Sequence, residues 1–279
     1  MAPDALGLAL AAACVHAGWN VLVARAPDVE GAMAAALPVG LIVFAPAAVV
    51  WWRVEGAAVP FAVGSSALEL AYFGLLAAAY RRAELSVVYP LTRGLAPVLV
   101  LVVGVSFLGV GASTGEAAGV VLVACGIVLV RGLRSLRAGR DPIELGLTLA
   151  IACCIAGYTL LDRYGVRHAN PLAYLELVLI APAVVYPVVR LRRSAGEVWI
   201  RTRTRALAAA AAGAGMVGAY ALVLAALQRA SAASVAAVRE SSIVIAVALA
   251  AVVLREPVGL LRLAGAVAVA AGVALLAAS

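Results

Sequence analysis

Two arginines lie inside long apolar stretches, where a charged side chain is costly and usually serves a function. Arg93 belongs to the segment 88–97, and Arg239 is followed directly by Glu240. Because the planar guanidinium fork matches carboxylate and phosphate groups, we expect both arginines to line a polar cavity and bind an anionic group. An alternative, compatible with the first, is ion pairing with buried carboxylates, namely Glu240, Glu69 or Glu176.

A second polar group lies near the start of the chain. His16, Trp19 and Asn20 are spaced i, i+3 and i+4, so they share one face of a helix. Tyr158 and Thr159 have matching positions in the second half. We expect these residues to form a cavity wall; the alternative is interhelical hydrogen bonding, with Trp19 as packing. The predicted substrate-binding residues are His16, Trp19, Asn20, Tyr89, Thr92, Arg93, Tyr158, Thr159, Arg239 and Glu240.

Three titratable residues are candidates either for carrying a proton or for pairing with other side chains. Glu69 shares a helix face with Tyr72, Glu176 lies in the apolar stretch 171–190, and His16 belongs to the predicted wall. Buried carboxylates are typical proton carriers in coupled transport. An imidazole changes its charge near neutral pH. The sequence leaves proton coupling and ion pairing open for all three.

The composition indicates that membrane-spanning helices position these residues. Hydrophobic residues make up 66% of the 279 residues, charged residues 13%, and the mean hydropathy is +1.10. A soluble domain carries more charge. Because the backbone must satisfy its own hydrogen bonds in lipid, we predict an all-α polytopic membrane protein. The ten predicted transmembrane helices cover about 4–24, 31–52, 61–80, 86–108, 115–131, 143–163, 171–190, 206–227, 231–254 and 257–278.

The two halves of the chain resemble each other. A shift of 146 residues aligns Arg93 with Arg239, and a shift of 139 aligns segment 17–20 with segment 156–159. We therefore predict two five-helix repeats, 1–132 and 143–279, joined by an Arg-rich connecting loop at 133–142. Since five is odd, the second repeat starts on the opposite membrane face, which makes the repeats inverted, as in many secondary transporters.

Helices 5 and 10 of this prediction carry small residues at matching positions. Gly119 and Gly126 recur as Gly265 and Gly272. Small residues permit close helix approach in membranes. These two helices are therefore interpreted as packing elements away from the transport path, and a homodimer through them is a possible partnership.

The arginines also predict an orientation in the bacterial cytoplasmic (inner) membrane. Loops on the face that holds both termini carry four arginines, whereas the other loops carry fifteen. Arginine-rich loops face the cytoplasm. The prediction places both termini outside.

Several other classes of protein are not supported by the sequence. Segment 111–115 matches G-x-S-x-G, but it lies between two predicted membrane helices and lacks the strand that a nucleophile elbow requires. Segment 213–218 matches G-x-G-x-x-G inside an alanine-rich helix, without a βαβ unit. We predict no catalytic residues, no metal, no cofactor and no nucleic-acid partner. The predicted partners are a small-molecule substrate and the lipid bilayer.

Five short motifs, in this order and spacing, resemble the drug/metabolite transporter (DMT) superfamily, EamA type. They are segments 16–20, 88–97, 156–162, 238–243 and 254–257. The chain departs from the family at Val110, which stands where a glutamate matching Glu256 is typical.

This resemblance implies ten helices in two inverted repeats around a central cavity lined by helices 1, 3, 4, 6, 8 and 9. It also implies export of metabolites, amino acids or drugs without ATP hydrolysis. We expect a secondary or facilitative transporter that works by alternating access. The alternatives are a non-transporting membrane receptor or assembly module, and an intramembrane enzyme, for which the sequence shows no nucleophile with a base.

Overall fold

The computed structural model describes residues 1–26, 28–82, 85–131, 142–193, 206–245, 248 and 259–279. Its α-helices are α1 (Pro3–Ala24), α2 (Val29–Val50), α3 (Val59–Arg82), α4 (Leu85–Phe107), α5 (Thr114–Arg131), α6 (Pro142–Gly165), α7 (Pro171–Arg193), α8 (Ala206–Leu227), α9 (Ala232–Arg239) and α10 (Leu260–Ala278). The predicted all-helical membrane architecture is confirmed. Residues 133–141 of the predicted arginine-rich loop (133–142) and the motif 254–257 lie outside the described residues.

Seven of these helices are long and apolar enough to cross a membrane, namely α1, α2, α3, α6, α7, α8 and α10. The apolar parts of α4 and α5 are shorter, at Leu91–Phe107 and Thr114–Val130. Large apolar side chains such as Ile42, Leu207 and Leu260 are at least 70% exposed, as expected for a surface that contacts lipid. The chain is therefore a multi-pass membrane protein, and the number of ten spans stays a prediction.

Local sequence signals explain where several helices begin. Pro3 and Pro142 occupy the first position of α1 and α6, where the missing N–H costs nothing. Asp28 caps α2 by accepting a hydrogen bond from the Gly31 amide at 3.0 Å. Ser231 caps α9 in the same way through the Ser234 amide at 3.1 Å.

The predicted continuous helix over 231–254 is wrong in its middle. The α-helical pattern ends at Arg239, and a turn follows at Glu240 and Ser241 before helix resumes at 242–245. In the turn, the amides of Glu240, Ser241 and Ile243 each donate to the carbonyl three residues earlier. This tighter hydrogen bonding interrupts the helix beside its charged residues, and such interruptions often mark functional sites.

The two halves of the chain pack into each other. From the first half, α1 and α2 pack on α8, α3 packs on α6 and α7, and α4 packs on α6 and α9. The main apolar core draws buried residues from α1 in the first half through to α10 in the second. Neither half therefore buries its apolar surface alone.

The loops at one membrane face are tied together, and we name this the terminal face because it holds Met1 and Ser279. The Met1 amino group donates to the Leu276 carbonyl at 3.2 Å, which brings both chain ends together. The loop 51–58 between α2 and α3 meets the loop 166–170 between α6 and α7 at the same face, through an antiparallel bridge of Val54 with Ala169.

The glycine faces of α5 and α10 pack against each other within one chain. A Cβ atom built on Gly126 would lie 2.8 Å from the Gly265 carbonyl oxygen, and one on Gly272 would lie 2.8 Å from that of Gly119. These glycines thus allow the close packing of α5 on α10 within one chain, as predicted. A homodimer through α5 and α10 stays a prediction, and it would have to use their other faces.

Adding one methyl group at this contact should destabilise the protein. We expect Gly126→Ala to cost about 1–3 kcal/mol, because the new carbon would press on the α10 backbone. The measurement is thermal unfolding of the purified protein in detergent. Gly74→Ala is the matched control, since nothing lies within 4 Å of a Cβ atom there. Equal melting temperatures for the two variants would contradict this view of the contact.

Candidate functional site

A central cavity of about 120 Å³ lies between the two halves of the chain. The first half lines it with Ala12, His16, Trp19, Asn20, Met33, Leu37, Glu69, Tyr72, Phe73, Leu76 and Arg93. The second half lines it with Tyr158, Leu179, Met216, Ala219, Tyr220, Val223 and Arg239. The helices that the family resemblance implies as cavity-lining, α1, α3, α4, α6, α8 and α9, all supply lining residues. Lining residues also come from α2 and α7.

Glu240 links the two buried arginines. Arg93 Nε lies 2.9 Å from Glu240 Oε2, and Arg239 Nη2 lies 3.4 Å from Glu240 Oε1. The Glu240 side chain is only 1% exposed. The ion-pairing alternative is therefore realised with Glu240, while both arginines also line the cavity. The triad carries one positive charge in excess, which favours an anionic group nearby.

His16 extends this network to α1. Its Nε2 atom lies 2.8 Å from Arg93 Nη2. A guanidinium group only donates hydrogen bonds, so His16 must accept through Nε2 and is neutral in this arrangement. Asn20 donates to the His16 carbonyl at 2.7 Å, and the Trp19 ring meets the imidazole edge-on at 5.0 Å. The predicted polar face of α1 thus faces the cavity, with each member held by a neighbour.

Aromatic residues form the opposite wall. Tyr158 contacts Tyr72 and Tyr220, with ring centroids 6.3 Å and 6.1 Å away. Because α3, α6 and α8 supply these side chains, the wall depends on both halves of the chain.

Two buried donors at the cavity have no hydrogen-bond partner among the described residues. They are Trp19 Nε1 and Arg239 Nε. Buried donors are nearly always paired in folded proteins. Since both belong to residues that line the cavity, a bound solute with acceptor atoms would satisfy them.

Three predicted binding residues are buried without lining the cavity. Thr159 donates to the Ile155 carbonyl at 2.7 Å, which satisfies its hydroxyl within α6. Thr92 is buried beside Arg93, and Glu240 acts through the arginines. The side chain of Tyr89 lies outside the described part of the chain.

The proton-carrier candidates separate in space. Glu69 is 4% exposed and lines the cavity, as does His16. Glu176 is half-buried on α7 and is not among the lining residues. The sequence therefore grouped three residues, of which the structure brings two to the cavity.

A buried carboxylate that sequence reasoning missed lies behind the aromatic wall. Asp162 Oδ1 accepts hydrogen bonds from Ser65 at 2.6 Å and Tyr174 at 3.1 Å, and Oδ2 accepts from Tyr220 at 2.6 Å. Asp162 is four residues after Tyr158, so both point from the same face of α6. That spacing, in an otherwise apolar segment, is the signal by which Asp162 could have been found.

These features define a multi-pass membrane protein built around a polar cavity at the centre of its helices. Residues 143–278 match the family model described as the EamA-like transporter family, within the DMT superfamily. The second half of the chain thus matches that family model, and over these residues the resemblance drawn from the motifs is confirmed. Members of this family are membrane transporters rather than enzymes, which agrees with the prediction that the protein is not an enzyme.

A solved structure shares the fold over nearly the whole chain. It is a crystal structure whose title does not say which protein it is. The TM-score is 0.75, and the sequence identity is 18%. The match covers 97% of this chain and 94% of the other. No curated protein matches the sequence significantly.

Neutralising Glu240 should destabilise the bundle. We expect Glu240→Gln to lower the free energy of unfolding by about 3–5 kcal/mol, because two buried arginines would lose their shared anion. The measurement is an unfolding titration in mixed detergent micelles. Glu55→Gln is the matched control: its side chain is 60% exposed and pairs with His168 at the surface, so its loss should cost at most about 1 kcal/mol. A loss no greater than the control's would show that the triad is not a stabilising unit.

Proposed function

We propose that this protein is a secondary or facilitative transporter that exports a small organic solute, such as an amino acid, a metabolite or a drug. The observation that carries the proposal is the cavity shared by both halves, with two arginines on its wall and two donors that no described residue pairs. The excess positive charge of the Arg93–Glu240–Arg239 triad favours a solute with a carboxylate or phosphate group. The aromatic wall suits an apolar or planar body.

We infer alternating access from the way the helices pair. Most helix pairs that join the halves have a counterpart when first-repeat and second-repeat helices are exchanged. The packing of α1 on α8 corresponds to that of α6 on α3, and α4 on α6 corresponds to α9 on α1. This exchange pattern supports two inverted repeats around one site, and such symmetry supplies two related conformations that open to opposite faces.

Contacts on the two faces are suited to act as gates. At the terminal face, loops 51–58 and 166–170 are joined by backbone hydrogen bonds of 2.9 Å and 2.7 Å on either side of Val54 and Ala169. At the other face, Arg190 pairs with Asp28 at 3.1 Å and Glu30 at 3.3 Å. In the proposed cycle, these two sets of contacts break in turn.

Arg239 is the residue whose removal should stop transport. We expect Arg239→Ala to abolish efflux from proteoliposomes loaded with a labelled mixture of amino acids, organic acids and cationic dyes. The reason is that the variant loses a cavity cation and an unpartnered donor. Arg262→Ala, an exposed change on α10 outside both gates, is the matched control and should transport normally. Efflux by well-folded Arg239→Ala at the wild-type rate would remove the residue from the site.

A disulfide across the terminal face tests alternating access. Val54 and Ala169 form a non-hydrogen-bonded antiparallel pair, in which Cα atoms lie about 4.5 Å apart, within the range that a disulfide spans. In a variant lacking the four native cysteines, we expect Val54→Cys with Ala169→Cys to lose efflux on oxidation and regain it on reduction. Either single cysteine variant is the control.

The same experiment distinguishes the transporter from a non-transporting receptor or assembly module. A module of that kind would release none of the labelled mixture, whether the disulfide is open or closed. Efflux that continues with the disulfide fully formed would rule out opening of this face as a transport step.

A further inference from the structure

A second cavity lies at the terminal face, and three arginines from separate parts of the chain line it. Its volume is about 260 Å³, against about 120 Å³ for the central cavity. Arg163 lies near the end of α6, Arg167 in the 3₁₀ turn Val166–His168, and Arg229 in the connection between α8 and α9. The predicted loops of this face carry only four arginines, so a generally basic surface does not explain the cluster. We name the space between these three arginines the terminal cavity.

Two of the three arginines have no carboxylate partner in the described part of the chain. Arg229 Nε lies 3.0 Å from Asp4 Oδ2. The Arg163 and Arg167 guanidinium groups form no such pair with a described residue, and Arg167 lies over the Tyr164 ring at 5.4 Å. Since Arg163 and Arg167 are four residues apart, their like charges repel each other. A bound anion would remove this repulsion.

The acidic residue in the lining does not supply the missing counter-charge. Glu116 Oε1 accepts hydrogen bonds from the hydroxyl groups of Ser231 and Ser234, the latter at 2.8 Å. Because these serines belong to the start of α9, the carboxylate is fixed against that helix. The described lining carries three positive charges and one negative charge. Even with Asp4 included, one positive charge stays in excess.

Two helices reach from the central cavity to the terminal cavity. On α4, Arg93 lines the central cavity and Val100 the terminal cavity, with the buried Ala96 between them. On α9, Arg239 lines the central cavity and Ala232 the terminal cavity, again with a buried alanine between them. In both helices these residues share one face, because their spacings are three and four. Seven residues of helix separate the two cavities by about 10 Å, with only small side chains at the midpoint.

We propose that the terminal cavity is a second binding site for the carboxylate or phosphate group of a transported solute, with Arg163 and Arg167 as its main ligands. A solute that leaves the central arginines toward the terminal face meets these two arginines next. Their guanidinium groups suit such an anion. The place of the site on the transport path rests on the proposed transport function, whereas the binding of an anion does not. An anionic lipid headgroup has the same chemistry and is the competing source of the anion.

Equilibrium dialysis of labelled citrate against the purified protein in uncharged detergent counts the sites without transport. We expect two sites per chain, one weakened by Arg239→Ala and the other by either Arg163→Ala or Arg167→Ala. Each loss should be about tenfold or more, because a charge-assisted contact is removed. Arg167 is exposed, so its variant tests the site even where Arg163→Ala lowers stability.

Arg262→Ala is the matched control for binding, because it removes an exposed charge outside both cavities. It should keep both citrate sites. Fewer than two sites in the wild type, or two sites that are unchanged in both Arg163→Ala and Arg167→Ala, would overturn the second binding site.

Dialysis in bilayer discs distinguishes a solute from a lipid headgroup. Discs of phosphatidylcholine are compared with discs that also contain phosphatidylglycerol. A similar change in citrate affinity at both sites is the expected effect of membrane surface charge. Loss of citrate binding at the Arg163 site alone would assign the terminal cavity to lipid and overturn the proposal.

Efflux of the labelled mixture tests whether the site lies on the transport path. Arg163→Ala should slow the efflux of amino acids and organic acids and leave that of cationic dyes unchanged, while Arg262→Ala should match the wild type. Wild-type efflux of the dyes alone, or unchanged efflux of the anionic solutes by Arg163→Ala, would overturn this place on the path. Absence of all efflux from a wild type with two citrate sites would instead refute the proposed transport function and leave the second binding site established.

Discussion

The placement of one buried anion between two buried cations constrains the centre of this protein. Glu240 is almost fully buried and contacts both Arg93 and Arg239. An unpaired charge at this depth in a membrane would be far more costly than a paired one. The pair therefore holds α4 beside α9, and the bond from Arg93 to His16 adds α1 to the same group. The remaining helices pack around this paired group of charges.

That arrangement also explains why α9 is interrupted. The turn at Glu240 and Ser241 comes directly after Arg239, so consecutive side chains there need not follow helical spacing. Adjacent residues of a regular helix point about 100° apart, which makes contact between their side chains difficult. The tightened turn places Arg239 and Glu240 within 3.4 Å of each other and still leaves Arg239 on the cavity wall. A local departure from helix geometry thus creates the polar centre.

Polar groups behind the cavity wall have hydrogen-bond partners, whereas two donors on the wall itself have none among the described residues. Behind the wall, Asp162 has three hydroxyl partners, and Thr159 bonds to its own helix. At the cavity, the donors Trp19 Nε1 and Arg239 Nε have no partner among the described residues. A protein that only needed rigid helix packing would pair such donors. Their location supports a cavity built to receive a solute.

Apolar length and flanking residues predicted the helices well, because the requirement for about 20 apolar residues is local to each segment. The bounds of α1, α6, α7 and α8 agree with the sequence within a few residues. The polar faces of α1 and of the arginine helices were predicted from i, i+3, i+4 spacing and from the cost of charge in lipid. Partner choice could not be predicted in this way: Glu69, Glu176 and Glu240 were equal candidates for the arginines, and Asp162 was not considered. Contacts among α3, α6 and α8 depend on how distant segments pack, and a pattern within one segment carries no information about that geometry.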